Sequence, residues 1–536
     1  MRSNDASLPR GSRSLSIIAV ILLLYGCAPV MVAPPTATRP MQGTEGTVVL
    51  SVTGNTGRVA QFDAISIKQY VKPEPGVAPI KGEYILRQLS PGLARDTAFF
   101  VGVVPAGEYV LAKFSHDKTQ RYINLNDKSI ERIGHFRVTA GAVSDLGRII
   151  VTPLNDKVVV GRSQRVRSNA DLVKRFAPES AGIYSSEVSQ GWVGPRDPTD
   201  VVEEYALQRP VGADAMTELP NGWVIAASRL GTVLVRAPAG KWRAIQGDSL
   251  ESLLWVKQYE TENSLLLAVG EFDTMLRLNR QGQMVRVDSG NLPPGNLLFV
   301  DGNDAAGWFV AIQHGKEITV FRSAILEGGD WRQLRKESVE MSFWSGANQF
   351  WTWSTKNGFA YAVSEGRICF YDFQTQQWAE RKAPKDARII RIAPQPGDTL
   401  GILTSPGGGV GGIFASNYLS RDAGATWEEM KSPFRVKVAP PYLTPNGALL
   451  MQGGAFGSPE IQESRDLGKT WRRISDKISL EEQIVVLPTK GLFAVSSGSL
   501  SGIATIKHSE DWGQSWRTEY SNFDEAAYDA QKQKSK

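Results

Sequence analysis

Cysteine and histidine are nearly absent from this chain of 536 residues, with two of the first and four of the second. Cys27 and Cys369 fall in unlike settings, so no disulfide between them is expected. Cys369 sits in the strand-like string Arg367-Ile368-Cys369-Phe370-Tyr371 and reads as a small buried hydrophobe. His116, His135, His314 and His508 are scattered without the paired spacing of zinc ligands. Asp301-Gly302-Asn303-Asp304 starts like a calcium loop but fails at Ala305. No metal and no cofactor is therefore expected. Charge of one sign is also scarce: 60 Lys and Arg face 55 Asp and Glu. Removing residues 1–26, which hold Arg2, Arg10, Arg13 and Asp5, lowers the formal charge from +5 to +3. That balance offers no broad electrostatic case for nucleic acid.

Glycine (52) and tryptophan (14), by contrast, are plentiful, which suits an all-β protein with many tight turns and large packing side chains. A chain of this length exceeds one compact core, so two or more folded units are expected.

Arg10 and Arg13 precede the apolar run 17–24, too short to span a bilayer comfortably and shaped like the core of a secretory signal. It ends in Leu24-Tyr25-Gly26-Cys27, which resembles the lipobox of bacterial lipoproteins. The resemblance implies a signal peptide over 1–26, cleavage after the small Gly26, and acylation of Cys27. Two or three acyl chains would anchor the protein durably, where one binds only marginally. Ala28, in place of an aspartate, implies the outer membrane, with the protein facing the periplasm or the exterior. Residues 27–44, rich in proline, threonine and alanine, read as a tether.

From 45 to 158, short alternating segments such as Ile65-Ser66-Ile67-Lys68 are separated by turns. Val104-Pro105-Ala106-Gly107-Glu108-Tyr109 and Phe136-Arg137-Val138-Thr139-Ala140-Gly141 each lead into a strand. They resemble the signatures of small prealbumin-like or immunoglobulin-like sandwiches, which implies a β-sandwich that holds the larger C-terminal part of the chain away from the membrane. Residues 159–210 form a connector. Asn169 and Thr199 stand where each could cap a short helix, and Lys157, Arg162, Arg165, Arg167, Lys174 and Arg175 make the stretch basic. A solvated linker is the simplest reading of that charge.

Internal repeats dominate the remainder. Ser420-x-Asp422-x-Gly424-x-Thr426-Trp427 recurs as Ser464-x-Asp466-x-Gly468-x-Thr470-Trp471 and Ser509-x-Asp511-x-Gly513-x-Ser515-Trp516. The tryptophans are 44 and 45 residues apart. Upstream, Trp378, Trp331, Met284 and Trp242 mark four decayed copies at a similar step. Seven such units predict a seven-bladed β-propeller over 211–520, with four strands per blade and a polar tail over 521–536. The motif resembles the Asp-box, or bacterial neuraminidase repeat. That resemblance places it on the hairpin between the third and fourth strands, at the outer rim, where it stabilises blades rather than binding substrate. The aspartate would accept from turn amides, the glycine would take a positive φ, and the tryptophan would pack into the blade. Both ends carry complete four-strand units, so closure by blade packing or by a connector strand is expected.

Sialidases share the repeat, and the resemblance raises an enzymatic alternative. They open with a Phe/Tyr-Arg-Ile-Pro segment, for which the nearest strings here are Arg391-Ile392-Ala393-Pro394 and Phe434-Arg435-Val436-Lys437, neither in the first blade nor complete. Glycosidases of the xyloglucanase type use two carboxylates, for which Glu271, Asp273, Asp301 and Asp304 are conceivable, although each reads more simply as a solvated turn residue. The glycine run 407–412 lacks the lysine and hydroxyl of a phosphate loop. Trp344, Phe350, Trp351 and Trp353 could stack on a sugar or a peptide, or fill a blade core. No catalytic residue is assigned. The expected function is a membrane-anchored, non-enzymatic binding or assembly platform for a protein or glycan partner, by fold-level analogy with sortilin-type receptors and photosystem assembly factors. A sialidase-like or other glycoside hydrolase is the alternative.

Overall fold

The computed structural model describes residues 30–31, 43–55, 62–70, 82–116, 121–154, 157–163, 167–194, 202–339, 350–405, 414–455, 458–475, 478, 482–496 and 503–523. Cys27, Thr199, Arg165, Trp344, the glycine run 407–412 and the tail from Asp524 lie outside them, as does nearly all of the tether. Among the described residues no helix is long and apolar enough to cross a membrane.

Seven antiparallel sheets follow one another from Asp214 to Ser521 and form a seven-bladed propeller. Blade 1 comprises Asp214–Glu218, Val224–Ala227, Thr232–Arg236 and Trp242–Gln246; blade 7 comprises Glu482–Leu487, Gly491–Ser496, Thr505–Ser509 and Arg517–Ser521. The first strand of each blade is innermost. In blade 6 it is split into Val436–Lys437 and Tyr442–Leu443. Pro440 and Pro441, which have no N–H to give, fall in the gap.

Alternation along the strands explains the ring. Ile225 and Ala227 enter a core shared with blade 2, whereas Val224 and Ala226 enter one shared with blade 7. Every pair of neighbouring blades shares such an apolar core. Trp242, Met284, Trp331 and Trp378 stand at the start of the fourth strand in blades 1 to 4, the position that the repeat assigns to them.

The three complete motifs form hairpin turns with the same set of hydrogen bonds. The Ser420, Ser464 and Ser509 hydroxyls donate to Oδ1 of Asp422, Asp466 and Asp511 at 2.7, 2.8 and 2.7 Å. The same serine oxygens accept from Gly424, Gly468 and Gly513 N–H, and those glycines have φ of 81°, 89° and 101°. Oδ2 of each aspartate accepts from the Thr426, Thr470 or Ser515 hydroxyl at 2.6 Å. Bonds from the Thr426 hydroxyl and amide hold Asp422 down at about 2, so this carboxylate stays ionised until the pH falls to that value.

The tryptophans of these turns are half-buried rather than sunk in the blade. Trp427 Nε1 reaches Lys382 O in blade 4, and Trp516 Nε1 reaches Ser475 Oγ in blade 6, so each ring spans the seam to the preceding blade. Half-burial lowers the expected cost of Trp427→Ala to about 2 kcal/mol, to be read from the denaturant midpoint of the purified protein.

Among the described residues, no strand is exchanged at the closure of the ring. Blade 1 meets blade 7 by packing: Val224, Ala226 and Leu234 contact Leu487, Phe493 and Ile506. Arg236 forms a two-pronged pair with Glu519 at 2.7 and 2.8 Å, with His508 Nδ1 2.9 Å from the same carboxylate. All three side chains are buried.

The N-terminal domain departs from the expected sandwich of two separate layers. Its strands form one continuous curled sheet in the order Lys157–Arg162, Val143–Leu154, Glu45–Gly54, Ala98–Pro105, Glu83–Leu89, Ala64–Gln69, Gly107–His116 and Arg121–Asn124. The reason is the central strand Glu45–Gly54, which pairs antiparallel with Ala98–Pro105 and parallel with Val143–Leu154, leaving no break between layers. Its Val48, Leu50 and Val52 fill the barrel-like interior, while Val49 points outward.

Helix α1 spans Asp127–Ile133, α2 Asn169–Phe176 and α3 Val202–Gln208. The cap of α2 is Ser168, whose oxygen accepts from Asp171 N–H at 3.0 Å, and not Asn169. Asn169 is buried instead, where it bonds Ser51 Oγ, Asp145 Oδ1 and Gly147 O and ties α2 to the sheet.

Candidate functional site

The upper face of the propeller carries the loops that precede each first strand and those that join each second strand to the third. Over blades 1 to 3 this face is covered by the N-terminal domain and α2. The domain is thus fastened to the propeller instead of holding it at a distance.

Its anchor is the loop Glu271-Phe272-Asp273 of blade 2. Phe272 and Asp273 both have φ of 51°, a left-handed conformation that β-branched and aromatic residues seldom adopt, and here it presents three consecutive side chains to the domain. Phe272 is fully buried, edge-on to Phe99 at 5.9 Å and to Phe176 of α2 at 5.1 Å. Outward-facing Val49 and Val101 of the N-terminal sheet join this cluster.

Around the ring of Phe272, five arginines meet five carboxylates. Arg95 and Arg229 each lie 2.8 Å from Asp214, and Arg229 is also 3.1 Å from Asp96. Arg148, wholly buried, faces Glu251 at 3.5 Å. Arg167 and Arg175 clasp Asp273 at 2.9 and 2.6 Å. Glu271 accepts from Asp96 N–H, from the Thr97 hydroxyl at 2.9 Å and from Ser252 N–H. Asn296, at the head of the first strand of blade 3, donates to Leu93 O. Burial alone would raise the pKa of Asp214, but Arg95 and Arg229 outweigh it and hold the carboxyl low. Burial of Glu271, reinforced by the neighbouring Asp96 carboxylate, pushes that group up to about 7. The outer edge of this seam opens into a cleft of about 960 Å³ bordered by Arg167, Arg175, Arg286, Asp273 and Asp288.

The basic connector is therefore no solvated linker. Arg167 and Arg175 are fasteners, and Arg162 stacks over Trp192 at 4.8 Å. Nor are the carboxylates nominated as a catalytic pair solvated, apart from Asp304. Glu271 and Asp273 belong to the seam, and Asp301 is buried and paired with Lys257. Asp304 sits in an exposed turn and accepts from Trp308 Nε1. The calcium-like string is an Asx turn, with Asn303 Oδ1 accepting from Ala305 and Ala306 N–H.

No protein-family model matches the chain, and no curated protein does. Similarity is found among solved structures. A structure of YCF48 bound to D1 peptide is 16% identical, the match covering 54% of this chain and 91% of that one at a TM-score of 0.39. YCF48 from Cyanidioschyzon merolae is 14% identical over 54% and 94% of the two chains at 0.37. A chain of the Mitotic Checkpoint Complex is 12% identical over 54% and 87% at 0.37.

The aromatic residues considered for stacking divide between cores. Phe350 stacks on Tyr361 at 5.1 Å between blades 3 and 4, and Trp353 meets Phe370 edge-on between blades 4 and 5. Cys369 is buried in the first of these cores, and burial raises its thiol pKa. The string Arg391-Ile392-Ala393-Pro394 lies on the innermost strand of blade 5, and Phe434-Arg435-Val436-Lys437 leads into that of blade 6. Sequence reasoning did not find the docking seam. Its signal was present as a run of arginines in the connector and an acid-Phe-acid triplet in a blade loop, but nothing in the order of residues joins the two.

Proposed function

We propose that this chain is a lipid-anchored protein of the cell envelope whose propeller serves as a non-catalytic binding or assembly platform. The observation that carries the reading is the docked upper face. The best-placed buried carboxylates, Glu271 and Asp273, are committed to fastening the N-terminal domain, which joins two modules into one support. The three turns, alike in their hydrogen bonds, are read as Asp-boxes and serve the blades. Cys27 is the acylation site, with the outer membrane as the destination and a protein or a glycan as the partner.

Crosslinking in intact cells, followed by identification of what is captured, tests the platform; release of a chromophore from a glycoside panel by the purified protein would overturn it. Cys27→Ser is expected to move the protein from the membrane to the soluble fraction and to abolish incorporation of labelled palmitate. Membrane association unchanged in that variant would remove the anchor from this account.

A further inference from the structure

Among the described residues, the innermost strands of blades 5 and 6 carry two cations, Arg391 and Lys437, that no acidic side chain meets. Both faces of every blade are covered by its neighbours, so an exposed side chain on an innermost strand reaches water only along the axis. Arg391 is such a residue: on the strand Arg388–Gln395 it stands exposed between Ile389 and Ile392, which are buried against blade 4. Protein around the guanidinium lowers its pKa by burial, and no carboxylate offsets the effect.

The charges along the innermost strands isolate this group. Their acids are all engaged: Asp214 by Arg95 and Arg229, Glu218 by Thr489 and Lys490, Asp301 by Lys257, and Glu482 by Lys507. Among the described residues, no hydrogen bond or ion pair reaches the side chain of Arg391 or Lys437. Gln395 of blade 5 bonds Pro441 O and Leu443 N–H of blade 6. Further back along the same two strands, this register sets Arg391 and Lys437 at one height. The neighbouring strand positions are aliphatic, with Ile390 and Val438 only partly buried.

We infer that the channel mouth at blades 5 and 6 is a binding site for a ligand that carries several carboxylates on short hydrocarbon stems, gripped by Arg391 with Lys437 beside it. The inference rests on the platform reading and names its ligand. A guanidinium offers a planar fork that matches a carboxylate through two parallel bonds, and a partly dehydrated site strengthens them. Aliphatic walls favour methylene stems over a strongly hydrated inorganic anion. Two sources supply this chemistry: an acidic polypeptide segment or a small polycarboxylate.

Calorimetric titration of the full-length protein with hexaglutamate, citrate, hexaglutamine and inorganic phosphate tests it. Hexaglutamate or citrate is expected to bind, the first alone pointing to a polypeptide and the second alone to a small molecule. Binding should weaken with added salt and fall about tenfold or more in R391Q, less in R391K. Because Arg391 supports no other side chain, R391Q should melt no lower than the parent. Absence of binding by both carboxylate probes, equal binding by R391Q, phosphate binding as tight as citrate, or unfolding of R391Q would each overturn the site. A crosslinked partner captured equally by R391Q would overturn it while leaving the platform standing.

Discussion

Arg236→Ala is expected to loosen the ring, lowering the stability of the propeller by about 3 kcal/mol, because it removes the buried cation and leaves Glu519 with only the largely exposed Arg517 beside His508. The closing seam holds one apolar core, the buried Arg236–Glu519 pair with Trp242 Nε1 donating to the same carboxylate, and a contact of Glu218 with Thr489 and Lys490. Loss should appear first as hydrogen exchange in Glu482–Leu487 and Asp214–Glu218, the innermost strands that meet there. Removing both charges with Arg236→Met and Glu519→Leu should restore most of the stability, since a packed apolar pair replaces the ionic one without stranding either partner. A double variant as weak as the single one would show that the pair sets the geometry of the seam and not only its charge balance. The same pair makes closure sensitive to acid. Burial of Glu519 would raise its pKa, but Arg236 and His508 outweigh it and hold the carboxyl well below the usual range. Its contribution is therefore complete above the unfolded value of about 4.5 and is lost as the pH falls below it.

Phe272→Ala should separate the two domains without unfolding either. The ring is fully buried between Phe99 and Phe176, and its removal from a packed site costs about 3–5 kcal/mol. Alanine in the left-handed turn of this loop gains nothing in return. Proteolysis near α2 should accelerate sharply while the propeller melts nearly as before; a cooperative loss of both domains would mean that the seam is part of one folding unit. Docking should also depend on pH, in the direction opposite to ring closure. With Glu271 raised to about 7, the docked state holds a proton that the free loop releases near 4.5. The Glu271 contribution to docking is then complete at about pH 4.5 and is lost as the pH rises through 7. Glu271→Gln, which keeps the shape without the charge, should flatten that profile between about pH 5 and 8, as measured by exchange protection of Asp96 and Thr97 N–H.

The repeats were legible because each blade is a local object. Four strands joined by tight turns bury their faces only against copies of themselves, so a half-hidden tryptophan or methionine at a fixed step announces the architecture even where Ser-x-Asp-x-Gly has decayed, as at Met284. The cap of α2 was misplaced by one residue because Ser168 and Asn169 are both capping residues, and only the buried partners of Asn169 decide between them. The sandwich became one curled sheet because strand pairing between Glu45–Gly54 and Val143–Leu154 links segments far apart in the chain, and alternation alone does not encode which edges meet.

By itself the sequence determined the all-β class, the seven blades and the turn chemistry at their rims, since each depends on residues within a few tens of positions. Tertiary structure alone decided that the N-terminal domain lies on blades 1 to 3, that Glu271 and Asp273 are fasteners, and that, among the described residues, the ring closes without a shared strand and the Arg391 side chain meets no partner. Those outcomes turn on which distant charges and apolar faces come within a few ångströms of one another, and that is fixed by packing rather than by any local pattern.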